Sequence, residues 1–106
     1  MSPATPGVLI NVLYPASAAS GFDLDYYLHT HMPLVDKHWR PHGLLGWTVA
    51  VMDGSTSGYH VQAIMTFEDL EAFESVMEMG EIMADINNFT SARPVRWVGK
   101  VVGEGS

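Results

Sequence analysis

Leu44-Leu45-Gly46-Trp47-Thr48-Val49-Ala50-Val51-Met52, then Asp53-Gly54-Ser55-Thr56-Ser57-Gly58, then Tyr59-His60-Val61-Gln62-Ala63-Ile64-Met65-Thr66-Phe67, reads as two β-strands joined by a hairpin loop. The outer runs are rich in apolar, β-branched and aromatic residues, while the break between them holds glycine and small polar residues. In the first strand Leu45, Trp47, Val49 and Val51 share a face, opposite the small Gly46, Thr48 and Ala50. In the second, Tyr59, Val61, Ala63, Met65 and Phe67 fall on one side and His60, Gln62, Ile64 and Thr66 on the other. Apolar side chains on both faces mean that both faces need cover.

The flanking segments supply part of that cover. Val8 to Tyr14 is nearly all apolar and suits a strand buried on both faces, interrupted only by Asn11. Pro15 to Gly21 is a loop rich in Ala and Ser. Phe22 to Lys37 reads as a helix with Asp23 as N-cap and Phe22 and Tyr27 placed as a hydrophobic staple. Leu24, Tyr27, Leu28, His31 and Val35 follow helical spacing and form one stripe, and Pro33 predicts a kink or break at Met32–Pro33. Beyond the hairpin, Glu68 to Met79 is a second amphipathic helix with Leu70, Phe73 and Met77 inward. Glu81 to Phe89 is a short third helix, and Val95 to Val102 a last strand. The order β-α-β-β-α-β predicts an α+β, ferredoxin-like domain over residues 7–102, with residues 1–6 and 103–106 as flexible tails. Helices then shield one face of a four-stranded antiparallel sheet, and a second copy of the chain shields the other as a homodimer.

The composition agrees. A chain of 106 residues holds one core. Apolar residues make up 47% and charged ones only 16%, below the share of about 25% usual for a soluble domain. Some apolar surface is therefore expected to meet a partner. Five Lys and Arg stand against twelve Asp and Glu, a formal charge of −7, with no basic cluster. That excludes nucleic acid and an acidic membrane surface as partners. The chain has no cysteine, so neither disulfides nor thiolate metal sites arise. The opening Met1-Ser2-Pro3-Ala4-Thr5-Pro6-Gly7 has neither a basic nor a long apolar region, so no signal peptide is read and a cytoplasmic location is expected.

Phe22-Asp23-Leu24-Asp25-Tyr26-Tyr27 followed by His31-Met32-Pro33-Leu34-Val35 resembles the signature of the EthD family, named after a small protein of bacterial ethyl tert-butyl ether degradation. Asp85-Ile86-Asn87-Asn88-Phe89-Thr90 and the Tyr14-Pro15 strand end are similar to that family too, so the resemblance spans roughly residues 8–102. It implies a dimeric α+β barrel, related in fold to cofactor-free monooxygenases, lactone isomerases and muconolactone-type enzymes. It also implies a mixed range of oxidoreductase-like activities, with His31 as the pocket histidine and Tyr26, Tyr27 and Pro33 around it.

The residues themselves suggest how such a pocket works. His31 lies on the apolar stripe, where an imidazole serves as general acid or base near neutral pH. The structural alternative is a buried histidine bonding a backbone group, such as the carbonyl freed by Pro33. Tyr27, one turn earlier, faces the same volume as a phenol donor or as plain core. Tyr26 sits about 100° off the stripe, at the rim or the dimer contact. Asn11, an amide in an apolar strand, bonds a neighbour or a ligand. His60 and Gln62 share a strand face that reaches either the same space or the dimer interface, and Trp47 offers an aromatic wall. No metal site is expected: His29 and His31 point about 200° apart on a helix, and Pro41 spoils the His38–His42 pair. Nucleotide-binding glycine motifs are absent, so no cofactor is expected either.

Two functions remain open at this point. One is a small cofactor-independent enzyme, monooxygenase- or isomerase-like, acting on a small apolar or aromatic molecule with His31 and Tyr27 as catalytic residues. Asn11, Tyr26, Pro33, Trp47, His60 and Gln62 would bind the substrate. The other is a non-catalytic ligand-binding or accessory protein of a degradation or biosynthetic pathway.

Overall fold

The computed structural model describes residues 7–105. The tail expected over residues 1–6, like Ser106, lies outside the described residues. Four strands, β1 (Val8–Pro15), β2 (Leu44–Val51), β3 (Tyr59–Phe67) and β4 (Val95–Lys100), form one antiparallel sheet in the order β2-β3-β1-β4. This is the ferredoxin-like arrangement. The long apolar runs take the centre, β1 and β3, because only there are both edges paired and both faces coverable. β4 is an edge strand, exposed along its whole length.

The first helical region runs from Leu24 to Trp39 without a break. Helix α1 (Leu24–Tyr26) starts on Asp23, whose carboxylate accepts the Tyr26 N–H at 3.0 Å. A π-helical turn, Tyr27–His31, follows, and then helix α2 (Met32–Trp39). The expected kink at Met32–Pro33 is thus absorbed as a π turn. Pro33 has no N–H to donate to the previous turn, and the Met32 N–H reaches back five residues to the Tyr27 carbonyl. The helix widens by one residue at this turn. Tyr27 and His31 stay buried, and the inward line then passes to Met32, Val35 and Trp39.

The loop between β2 and β3 contains a one-turn helix, α3 (Gly54–Ser57), capped by Asp53. Helix α4 (Leu70–Met77) begins after Asp69, which accepts the Ala72 N–H at 2.8 Å. That cap makes Leu70 the first helical residue, so it is exposed, and the inward pair is Phe73 and Val76. Helix α5 (Gly80–Asp85) and a short 3₁₀ turn at Ile86–Asn88 replace the expected third helix and carry Ile82 and Phe89 into the core. Gly43 closes α2's extension with φ of 116°, and a Cβ there would meet the Ala72 Cβ at 2.6 Å, so only glycine lets α4 pack this closely.

The helices cover one face of the sheet. Ile10, Tyr14, Val61, Phe67, Val76 and Ile82 form the centre of that core. The opposite face carries Leu9, Asn11 and Leu13 of β1, Gln62 and Ile64 of β3, and Trp97 of β4, paired across the strands by the register. No helix of the described residues lies over it, and Trp97 is 63% exposed. None of the described helices is long and apolar enough to cross a membrane.

Candidate functional site

Between the helices and the sheet lies a narrow apolar cavity of about 40 Å³. Tyr14, Tyr27, His31, Trp39 and Arg96 are its polar-tipped walls, set among methionine and aliphatic side chains. The π turn presents His31 here, one turn after Tyr27, and the two rings stack with centroids 5.4 Å apart and 17° between planes. Phe89 packs against both rings, 4.6 Å from the imidazole and 4.9 Å from the phenol.

His31 is 5% exposed, and its Nδ1 lies 2.9 Å from Asp85 Oδ2. Asp85 sits at the end of α5, 54 residues further along the chain. The carboxylate is itself fixed: the Tyr26 hydroxyl donates to Oδ1 at 2.7 Å and Asn88 Nδ2 donates to the same oxygen at 2.9 Å. Burial lowers the His31 pKa, more than the Asp85 hydrogen bond and charge raise it. Burial works against the Asp85 carboxylate, but the bonds from Tyr26, His31 and Asn88 together hold its pKa below the usual carboxylate value. At neutral pH the pair is therefore a neutral imidazole donating Nδ1–H to a carboxylate, which leaves the Nε2 lone pair to accept a proton.

Two phenols complete the polar lining. Burial raises the pKa of Tyr14 and of Tyr27, so both remain protonated and can donate to an oxygen. Trp39 Nε1 is the one buried side-chain donor without a partner among the described residues, and Trp39 also lines the cavity. A bound oxygen acceptor or a water satisfies such a group.

Of the expected site residues, the structure brings His31 and Tyr27 to the cavity. Six others do not line it. Tyr26 lies behind the site and holds Asp85. Asn11 and Gln62 are on the open face of the sheet, bonded to each other at 2.7 Å, because the period of two sends them away from the helices. His60 sits at the β3 end, where the β1–β3 register shifts, with its ring 5.6 Å from Phe22. Trp47 faces the helix side but donates Nε1 to Asp36 at 2.8 Å, which fixes it beside α2. The Arg40 hydrogen bond, helped by Trp47, brings the Asp36 pKa down to about 2, so that acceptor stays charged. Pro33 is exposed and shapes the site only through the helical turn.

Reasoning from sequence missed Asp85, Tyr14 and Trp39. Tyr14 had a signal, since it shares parity with Ile10 and Val12. Asp85 had none in spacing, because no periodicity links α5 to the π turn.

Comparison with known proteins places this arrangement. A scan of protein-family models finds no match to the sequence, and no curated protein matches it. Among solved structures, an EthD-like protein from Ralstonia eutropha JMP134 is 30% identical, with 96% of this chain and 98% of that one covered and a TM-score of 0.80. An EthD family protein from Bacillus halodurans C-125 is 23% identical over 92% of this chain and 100% of its own, with a TM-score of 0.67. A dimeric ferredoxin-like protein from an uncultured marine organism is 16% identical, with 95% and 100% covered and a TM-score of 0.69. A monooxygenase from Streptomyces coelicolor, solved with nanaomycin D, is 17% identical, with 95% and 92% covered and a TM-score of 0.65. The more distant structures share the fold. End-to-end similarity at 30% identity goes further than fold, and on it this chain belongs to the EthD-like family.

Proposed function

We propose that this protein is a small acid–base enzyme acting on an apolar or aromatic molecule. In this reading His31 Nε2 takes a proton from the substrate while Asp85 holds the ring. One observation carries it: a buried imidazole, fixed at Nδ1 by a carboxylate at 2.9 Å, forms part of the wall of an otherwise apolar cavity. The Tyr14 and Tyr27 hydroxyls are the donors for the oxygen on which charge develops. Proton abstraction is the step common to isomerisation and to oxygenation of an activated phenol or quinol. The Streptomyces coelicolor neighbour is a monooxygenase, which supports the second of these. We further read the open sheet face as the seat of a second copy, supported by its exposed Trp97 and by neighbours described as dimeric.

The size of the cavity favours a second reading. About 40 Å³ holds little more than a water or two, so a ligand enters only as side chains yield, as in a carrier. One experiment separates the two. With a panel of cyclic enones in D₂O, the wild type is expected to accelerate exchange of the acidic C–H hydrogen next to the conjugated carbonyl system. His31→Ala, checked for an intact fold by circular dichroism, is expected to lose at least about 100-fold of that rate. Equal rates in the two proteins leave only the carrier.

A further inference from the structure

Beside the cavity, an open groove of about 560 Å³ shares Met83, Ile86, Pro94 and Arg96 with it, which sets the groove at the cavity's mouth. Its remaining walls include Arg93, so two of the chain's five Lys and Arg residues converge here. No carboxylate among the described residues lines the groove, on a chain with twelve acidic residues and a net charge of −7. Neither arginine is engaged in an ion pair among the described residues, whereas Arg40 is held by Asp36 at 2.8 Å. Arg96 is opposite Val12 in the β1–β4 ladder and thus projects to the helix side, where its Nη1 lies 3.0 Å from Met77 Sδ. A guanidinium left against a thioether lacks the anionic partner that its planar fork fits best.

We propose that Arg93 and Arg96 form an anion clamp at the mouth of the site, so that its ligands are apolar or aromatic acids. The carboxylate of such a ligand rests on the two guanidinium groups in the groove, and its apolar body points into the cavity toward His31. This assignment rests on the acid–base reading of the site and names the substrate class for it. It also resolves the mismatch of sizes: the groove accommodates most of the ligand, and only the reacting end needs to enter the cavity. In a protein of strong negative charge, a single pair of unpaired arginines also attracts the anion to one place and away from the rest of the surface.

The test uses the full chain and two probes of nearly equal shape, 2-naphthoate and 2-naphthamide, titrated by calorimetry and by amide NMR shifts. The acid is expected to bind at least about tenfold tighter than the amide, with shifts centred on Met83, Ile86 and Arg96. Raising the salt narrows the difference. In the double variant Arg93→Gln/Arg96→Gln, the two probes are expected to bind within about twofold of one another. Both positions are exposed, so the fold does not depend on them. Equal binding of acid and amide to the wild type overturns the clamp, as does an acid preference that survives in the double variant, shifts located elsewhere, or no binding of either probe. His31→Ala is expected to keep the acid preference, so failure of the clamp and failure of the acid–base reading are read in separate assays.

Discussion

At the scale of single residues, the chemistry turns on one pair. Asp85 points the proton-bearing Nδ1 of His31 away from the cavity and so decides which nitrogen is the base. The sign of the pH dependence follows. Burial puts the folded-state pKa of His31 below its ordinary 6.5, so the neutral, active imidazole persists to lower pH than a free histidine would allow. The rate kcat/KM is expected to rise with pH along a single ionisation below 6.5 and then stay flat through neutrality; a rise centred above 6.5 contradicts the assignment. Stability follows the same direction. A histidine harder to protonate when folded contributes fully above 6.5 and loses that contribution as pH falls from 6.5 through the folded value. Asp85, lowered by its three hydrogen-bond donors, adds a second loss only below its ordinary 3.8. For Asp85→Asn, the amide can donate to Nδ1 and turn Nε2 into a donor. The plateau rate is therefore expected to fall by at least about tenfold, and the double variant with His31→Ala to be no worse than His31→Ala alone. Additive losses in steady-state kinetics would separate the two residues' roles.

At the scale of elements, the π turn at Tyr27–His31 is what the site is built on. Pro33 is exposed and touches nothing in the cavity, yet its missing N–H is the reason the preceding turn widens. Pro33→Ala restores the donor and permits regular α-helical bonding through the segment. Stability is expected to change by no more than about 1 kcal/mol, since alanine is a better helix former but loosens the unfolded chain. The exchange rate is expected to fall as His31 rotates relative to Asp85. A crystal structure of Pro33→Ala that retains the Met32-to-Tyr27 bond would refute this account. Much of the elements' identity was legible beforehand: the hairpin strands and the capped first helix follow from periodicity, turn chemistry and Asp23. The form of the Pro33 irregularity was not, because a missing donor permits a kink, a break or a π turn, and packing of Tyr27 and His31 against Phe89 selects among them.

At the scale of the whole molecule, the decisive feature is a sheet covered on one side. The central strands carry Leu9, Leu13 and Ile64 onto the open face beside the Asn11–Gln62 pair, and Trp97 stands out from the edge strand. Burying such a surface is worth about 25 cal/mol per Å² of apolar area, and a second copy offers the same surface in return. Light scattering at micromolar concentration is expected to give about twice the chain mass of 11.6 kDa. Ile64→Asp, which puts a charge on that face without touching the helix-side core, is expected to shift the population toward the single-chain mass. A wild type of single-chain mass refutes the self-association.

Where the four strands and the two main helical regions lie, and that the sheet has two apolar faces, was determined by the amino-acid order alone, because those properties depend on neighbours two to four positions apart. The ferredoxin-like order and the placing of His31 on an inward stripe follow from the same local periods. The partner of His31, the retreat of Trp47 onto Asp36 and the meeting of Arg93 and Arg96 at the cavity's mouth were decided by tertiary structure. Each joins residues from elements whose relative placement is set by packing of the whole core, and no local period records a contact between positions 31 and 85.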